Sequence, residues 1–279
     1  MPPRHLGLPA VLLAAAMSAG CATTQAADRT ISVRAMSYNI QYGGGGQNLD
    51  SIIAVIRAAG ADLVGLQEVD VNWSPRSGFA DQAATIGKAL GMEVRFAPIY
   101  DLPDSATGRR RQFGVALLSR HPIAGFTNHP ITRLSTQERT PAPRPAPGFL
   151  KATVVVAGTP IRVFDTHLDY RADPAVRRQQ VADMLAVIGT GGDTATVLFG
   201  DLNAQPQAPE LQPLFARLRD AWPAAAGGGF TIPADAPARR IDFVLISSGI
   251  TVRDVRVPAT AASDHRPVVV DLAIPRARR

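Results

Sequence analysis

The chain has 279 residues, 46% of them hydrophobic and 19% charged, with a formal net charge of +6. That balance excludes a disordered chain, and the length suits one large domain or two small ones able to bury a core without staples. The single cysteine, Cys21, excludes an intramolecular disulfide, while basic residues that are all Arg except Lys88 and Lys151 favour an anionic partner, such as a phosphodiester or an anionic membrane face.

Arg4 and His5 precede an apolar run from Leu8 to Ala19, 12 residues long and too short to span a bilayer. A basic start, a short apolar stretch and small residues describe a secretory signal. Ser18-Ala19-Gly20-Cys21 resembles the end of a bacterial lipoprotein signal, in which Cys21 is lipidated. Ser18 departs from the usual Leu, so ordinary cleavage near Ala26 or Ala27 is the alternative. The expected organisation is a signal over 1–21, a tether over 22–30, one domain over 31–273 and a basic tail over 274–279. The expected location is the periplasm or cell envelope, with lipid at Cys21 the one membrane attachment.

The domain opens with a strand at Ile31–Asn39 and a glycine loop at Gly43–Gly46. Asn48 is expected to cap a helix whose Leu49, Ile52, Ile53 and Ile56 share one face, ended by Gly60. Asp62–Gln67 reads as a strand, and Asn72–Gly78 is turn-rich. Asp81 caps a helix to about Leu90, and Met92–Ala97 is a strand. Tyr100–Arg111 reads as a polar loop carrying Arg109, Arg110 and Arg111. Phe113–Leu118 is a strong strand, with Ile123–Phe126 expected to pair with it. The run Pro141–Pro147 is expected to be a loop that joins no sheet. Strands resume at Phe149–Val156 and Ile161–Asp165. Asp173-Pro174 starts a helix striped by Val181, Met184, Leu185 and Ile188. Thr196–Phe199, Ile241–Ile246, Val252–Val257 and Val268–Leu272 complete the strands. Strands outnumber helices, and several join through short turns, which argues for packed sheets with helices outside.

Acid, amide and histidine clusters sit at the ends of four of these strands: Glu68 in Leu66-Gln67-Glu68-Val69-Asp70, His167 in Asp165-Thr166-His167-Leu168-Asp169, Asp201 and Asn203 in Gly200-Asp201-Leu202-Asn203, and Asp264 with His265 before Val268. Oxygen ligands converging from distant segments are how a hard-cation site for phosphate-ester hydrolysis is built. Glu68 after so apolar a strand is costly unless paired or ligating. Asp242 begins another strand and can fix the tautomer of His265. Asn39 ends the first strand. The glycine loop imitates a dinucleotide fingerprint, but Asn48 stands where the third glycine belongs. No phosphate-binding loop motif, nucleophile elbow or zinc spacing occurs.

Taken in order, Tyr38-Asn39-Ile40, the Glu68, His167 and Asp201 clusters, Ile241-Asp242-Phe243-Val244 and Ser263-Asp264-His265-Arg266-Pro267 resemble the endonuclease/exonuclease/phosphatase superfamily over roughly residues 31–273. The resemblance implies a four-layer α/β/β/α sandwich with two central mixed, mostly antiparallel β-sheets flanked by helices. It implies a metal-dependent hydrolase of phosphate esters in which Glu68, Asn39 and Asp264 hold Mg²⁺, with Mn²⁺ a possible substitute. Asp201 would activate water, Asn203 and His167 would contact phosphate, and His265, oriented by Asp242, would stabilise the transition state or move a proton. Gln41 stands where some nuclease members carry Asp, which weakens a case for a second tight metal. Arg76 reads equally as a phosphate contact or a loop-packing residue. The expected activity is phosphodiester hydrolysis by a monomer, on nucleic acid or a similar ester. The alternatives are phospholipid, sphingolipid or inositol-phosphate hydrolysis, or a silent anion-binding module.

Overall fold

The computed structural model describes residues 29–277 except 47, 106, 191–193 and 224–225. The expected signal, Cys21 and nearly all of the tether lie outside the described residues.

Twelve strands form two six-stranded sheets. The first contains β1 (Thr30–Asn39), β2 (Leu63–Val71), β3 (Glu93–Pro103), β4 (Arg110–Ser119), β11 (Thr251–Arg256) and β12 (Val268–Pro275), in the order β11-β12-β1-β2-β4-β3. The second contains β5 (Ile123–Arg133), β6 (Arg144–Val156), β7 (Thr159–His167), β8 (Thr196–Asp201), β9 (Arg219–Asp220) and β10 (Asp242–Ile246), in the order β5-β6-β7-β8-β10-β9. The pairs β1–β2 and β7–β8 are parallel and the rest antiparallel, so both sheets are mixed.

Alternation gives each strand an inner and an outer face. Inner residues such as Val33, Leu63, Leu117, Leu150, Val163 and Phe199 interdigitate between the sheets. Gly65 makes this contact close: a Cβ there would lie 2.4 Å from Phe199 Cβ. The outer face of the first sheet packs on α1 (Leu49–Ala59) and α2 (Gln82–Leu90), through Ile52, Ile53, Ile56 and Ile86. The outer face of the second packs on α3 (Ala175–Ile188) and α4 (Gln212–Arg217), through Val181, Met184, Ile188 and Leu214. The result is the four-layer sandwich.

Four local expectations are corrected. Tyr100–Arg111 is a β3–β4 hairpin rather than a loop, with Tyr100 opposite Phe113 and Pro103 opposite Arg110. Ile123–Phe126 pairs with β6 and not with Phe113–Leu118. The proline-rich run does join a sheet: Pro145 and Ala146 oppose Thr132 and Ile131. It pairs there on one side alone, because β7 reaches β6 only from Leu150 onward, so the prolines stand at a sheet edge, where a missing N–H is tolerated. Asn48 precedes α1 without capping it; its Nδ2 donates to Ala262 O instead. Asp81 does cap α2, accepting from Ala84 N at 2.9 Å, and Gly60 ends α1 in the left-handed conformation.

Candidate active site

Strand register brings the scattered clusters together. Asn39 lies opposite Gln67, His167 opposite Asp201, and Asp242 opposite Asp201, so β1, β7 and β8 end, β2 bulges, and β10 begins, at one rim. Glu68 is delivered by a bulge. The β2–β4 register shifts between Leu66 and Val69, and Glu68 takes a left-handed φ of 56°. Leu66 and Val69 both face the helices, so Gln67 turns inward and Glu68 is the extra residue swung to the rim. Asn203 also has positive φ, at 50°. Seven described non-glycine residues have positive φ, and the surrounding structure holds these two of them at the rim.

Asp201 is the hub. Its Oδ2 accepts from Asn39 Nδ2 at 2.9 Å and lies 3.6 Å from His167 Nε2 and 3.8 Å from His265 Nε2, while Oδ1 accepts from Asn203 N at 2.9 Å. Asn39 Nδ2 also donates to Glu68 Oε1 at 3.1 Å, and Asn39 Oδ1 accepts from Gln41 N. Asn39 therefore bridges the two carboxylates and presents its amide nitrogen, not an oxygen, to them. Asn203 Nδ2 pairs with His167 Nε2 at 2.9 Å and with Leu168 O at 3.0 Å. His265 Nδ1 lies 2.8 Å from Asp242 Oδ2. Asp264 precedes His265 in the same loop, accepting from Ser263 Oγ, which also donates to Asn39 O.

Burial works against a charge on His265. The adjacent Asp242 outweighs it, helped by Asp201 and Asp264, and pushes the imidazole up to about 10. Burial also pushes the Asp242 carboxyl up. The pair's proton belongs on His265, because two further carboxylates face the ring. His265 is thus an imidazolium at neutral pH, held by a buried anion.

Glu68 and Asp201 share one neutral amide donor, leaving surplus negative charge at the rim, and Asp242 Oδ1 is buried without a hydrogen-bond partner. Asp201, Asp242 and His265 also place one polar atom each within 4.8 Å of one another, and with the His265 ring protonated the carboxylates are the groups left to ligate. The donors are mostly carboxylate oxygens, so the residues fit a divalent cation.

Arg76 reaches the site's edge, but Nε and Nη2 form a bidentate pair with buried Asp70 at 2.9 and 2.7 Å, and its guanidinium sits 4.0 Å from the Tyr42 ring centre. Those contacts make it a loop-packing residue. Three features escaped the sequence reading. Buried Asp165 accepts from Gln67 Nε2 at 2.6 Å between the sheets, under the rim. Buried Arg133 donates to the carbonyls of Pro147, Gly148 and His167; burial pulls its guanidinium down to about 10, which leaves it charged at neutral pH. A cleft of about 320 Å³ opens beside Glu68 and His167, walled by Trp73, Tyr100, Phe113 and Tyr170. Asp165 and Arg133 were visible as charges inside apolar runs; the aromatic wall is spread over four segments and had no local signal.

A two-sheet α/β sandwich carrying this acid, amide and histidine cluster at its rim defines a metal-dependent hydrolase of phosphate esters. The chain belongs to the Endonuclease/Exonuclease/phosphatase family, whose profile matches residues 36–265. No curated protein matches it significantly in sequence. Among solved structures it is similar to an endonuclease/exonuclease/phosphatase from Beutenbergia cavernae DSM 12333, at 26% identity and a TM-score of 0.70, over 88% of this chain and 72% of that one. It shares its fold with the human Nocturnin catalytic domain bound to sulfate, at 18% identity and a TM-score of 0.64, over 86% and 94% of the two chains. It shares it also with a mannosyl-6-phosphatase from Bacteroides thetaiotaomicron VPI-5482, at 17% identity and 0.63, over 86% and 99%.

Proposed function

We propose that the protein is a Mg²⁺-dependent phosphodiesterase working as a monomer outside the cytoplasm, with Mn²⁺ able to replace Mg²⁺. The observation that carries the reading is the convergence on Asp201: one carboxylate, buried at the rim, touched by an amide and facing two imidazoles. Glu68, with Asp264 nearby, would hold the metal, and a bound divalent cation would polarise a phosphoryl oxygen and spread its charge. Asn39 keeps the Glu68 and Asp201 carboxylates in register. Asp201 takes a proton from the attacking water. Asn203 Nδ2 donates to His167 Nε2 and to Leu168 O, so a phosphate oxygen entering here would be bound by exchanging the Asn203–His167 bond for one to the phosphate. His265 carries a proton that can pass to the departing oxygen, and Asp242 keeps the ring turned so that Nε2 faces the reaction. Arg133 fixes the backbone on which His167 stands.

The test is turnover of plasmid DNA, RNA and bis(p-nitrophenyl) phosphate with Mg²⁺, Mn²⁺ or chelator. Cleavage should require the metal and vanish in Asp201→Asn. Turnover insensitive to chelator and to that substitution would refute the assignment.

For location, the same reading takes Cys21 as lipidated. Arg276 N donates to Arg29 O, so chain leading back to Cys21 joins the start of β1. Ten strand residues, roughly 33 Å, separate that end from Asn39, so an anchored protein would hold its site away from the bilayer. Labelled fatty acid should enter the wild type and not Cys21→Ser, and the variant should appear in the soluble fraction.

A further inference from the structure

The cleft beside Glu68 and His167 has features the reaction does not require. One wall is a cluster of three rings: Trp73 lies 6.1 Å from Tyr100 and 5.9 Å from Phe113, centre to centre, and Tyr100 lies 6.2 Å from Phe113. The lip is Tyr170, three residues beyond His167. It is 65% exposed, the most exposed large hydrophobic among the described residues, and Arg171 lies 5.1 Å from its ring centre. A ring this open, at the mouth of an aromatic-walled cleft, leaves a stacking surface unused. The polar groups of the lining are already committed. Arg76 is paired with Asp70, Arg133 with three carbonyls, and Tyr100 OH accepts from Thr136 N. A second phosphate would find no free fork of donors there. A lipid tail would strip water from Arg76, Thr136 and Gln137 without replacing it. At about 320 Å³ the cleft is near the small end of ligand pockets, which run from about 300 to 1,000 Å³, so it admits one compact group.

The lining includes Glu68 and His167 but not His265, the proposed proton donor to the departing oxygen, so a group in the cleft lies on the retained side. We propose that this cleft binds a single planar ring, a nucleobase or an aryl group, carried on the non-departing arm of the phosphate ester and stacked against Tyr170 and the Trp73–Tyr100–Phe113 wall. The proposal rests on reading Glu68, Asp201 and His265 as phosphoesterase machinery. It makes the substrate a ring-bearing ester recognised one ring at a time.

The experiment varies the retained arm while holding the departing group constant. p-Nitrophenolate release from thymidine 5′-p-nitrophenyl phosphate is compared with release from the phenyl, methyl and hexyl p-nitrophenyl phosphates, all with Mg²⁺. Aromatic stacking of this kind corresponds to about tenfold to hundredfold in affinity, so the thymidine and phenyl arms should show a KM lower than the methyl arm by about that factor. Tyr170→Ala should collapse the ratio between arms, and Tyr170→Phe should keep it. A hexyl arm binding as well as thymidine, or a ratio unmoved by Tyr170→Ala, overturns the proposal. If wild type turns over none of the esters, the hydrolase reading has failed and the cleft is judged separately. Calorimetric binding of thymidine 5′-phosphate should then exceed that of hexyl phosphate, with the preference lost in Tyr170→Ala; equal binding overturns the cleft proposal. A preference for phenyl over thymidine would name the aryl ester as the source, and the reverse the nucleotide.

Discussion

Asp165 and Asp242 are both buried in the second sheet, and burial pushes both carboxyls up. Their partners make them opposites. Asp242 lies 2.8 Å from His265 Nδ1, a ring whose positive charge balances its own, and in the proposed mechanism it orients that ring at the rim. Asp165 faces an amide, Gln67 Nε2, deeper between the sheets, and burial there outweighs the bond and pushes the carboxyl well up. The comparison teaches that burial favours the neutral acid in both places, and that only at Asp242 does a cation stand opposite to favour the anion.

The largest effects lie on the rim side. On the proposed mechanism Asp201→Asn and His265→Ala each remove a proton-handling group and should lower kcat by about 10²- to 10⁴-fold, with the folded protein intact by thermal melting. Asp242→Asn keeps a hydrogen-bonding side chain but deletes the anion. It should cost about 10- to 100-fold in kcat, the usual scale for a residue acting through another. An Asp242→Asn enzyme at full rate would erase the distinction between the two acids.

The deeper side is tested by pH. The unfolded Asp165 carboxyl titrates near 3.9 and the folded one well above that. Its contribution to stability is complete below the unfolded value and is lost as pH rises toward the folded value, at about 1.4 kcal/mol per pH unit. Asn at this position stays neutral throughout. Urea unfolding across a pH series should therefore find Asp165→Asn close to wild type in acid and gaining on it as pH rises. A gap that stays flat would mean that Asp165 is ionised in the folded protein, like Asp242.

The rim was legible because each of its residues interrupts an apolar strand: Glu68 after Leu66, Asp201 after Phe199, Asp242 before Phe243. Desolvation makes such interruptions expensive, so they announce a function from sequence. The Asp242–His265 pairing was legible for the same reason. Other parts depended on register, which no local pattern records. Pro145 can sit in β6 only because β7 stops short of it. Asn39 turns its nitrogen to the carboxylates because Gln41 N claims its oxygen. Trp73, Tyr100, Phe113 and Tyr170 read separately as ordinary core or loop rings until the two sheets close around them.

The smallest effect is expected at Thr166, which stands between the Asp165–Gln67 tie and the rim, with Asp165 before it and His167 after it on β7. Its side chain is fully buried, and Oγ1 has no hydrogen-bond partner. Val has nearly the same shape, and a hydroxyl that is desolvated and unpaired contributes no favourable bond to lose. Thr166→Val should thus leave unfolding free energy within about 0.5 kcal/mol of wild type or slightly above it, and kcat unchanged. A loss of stability beyond 1–2 kcal/mol would show that the hydroxyl is bonded in solution, through water in a polar pocket. A loss of kcat with stability intact would extend the rim inward by one residue, because the hydroxyl would then be holding the segment that aims His167, and the boundary between structural tie and catalytic edge would fall at Asp165 itself.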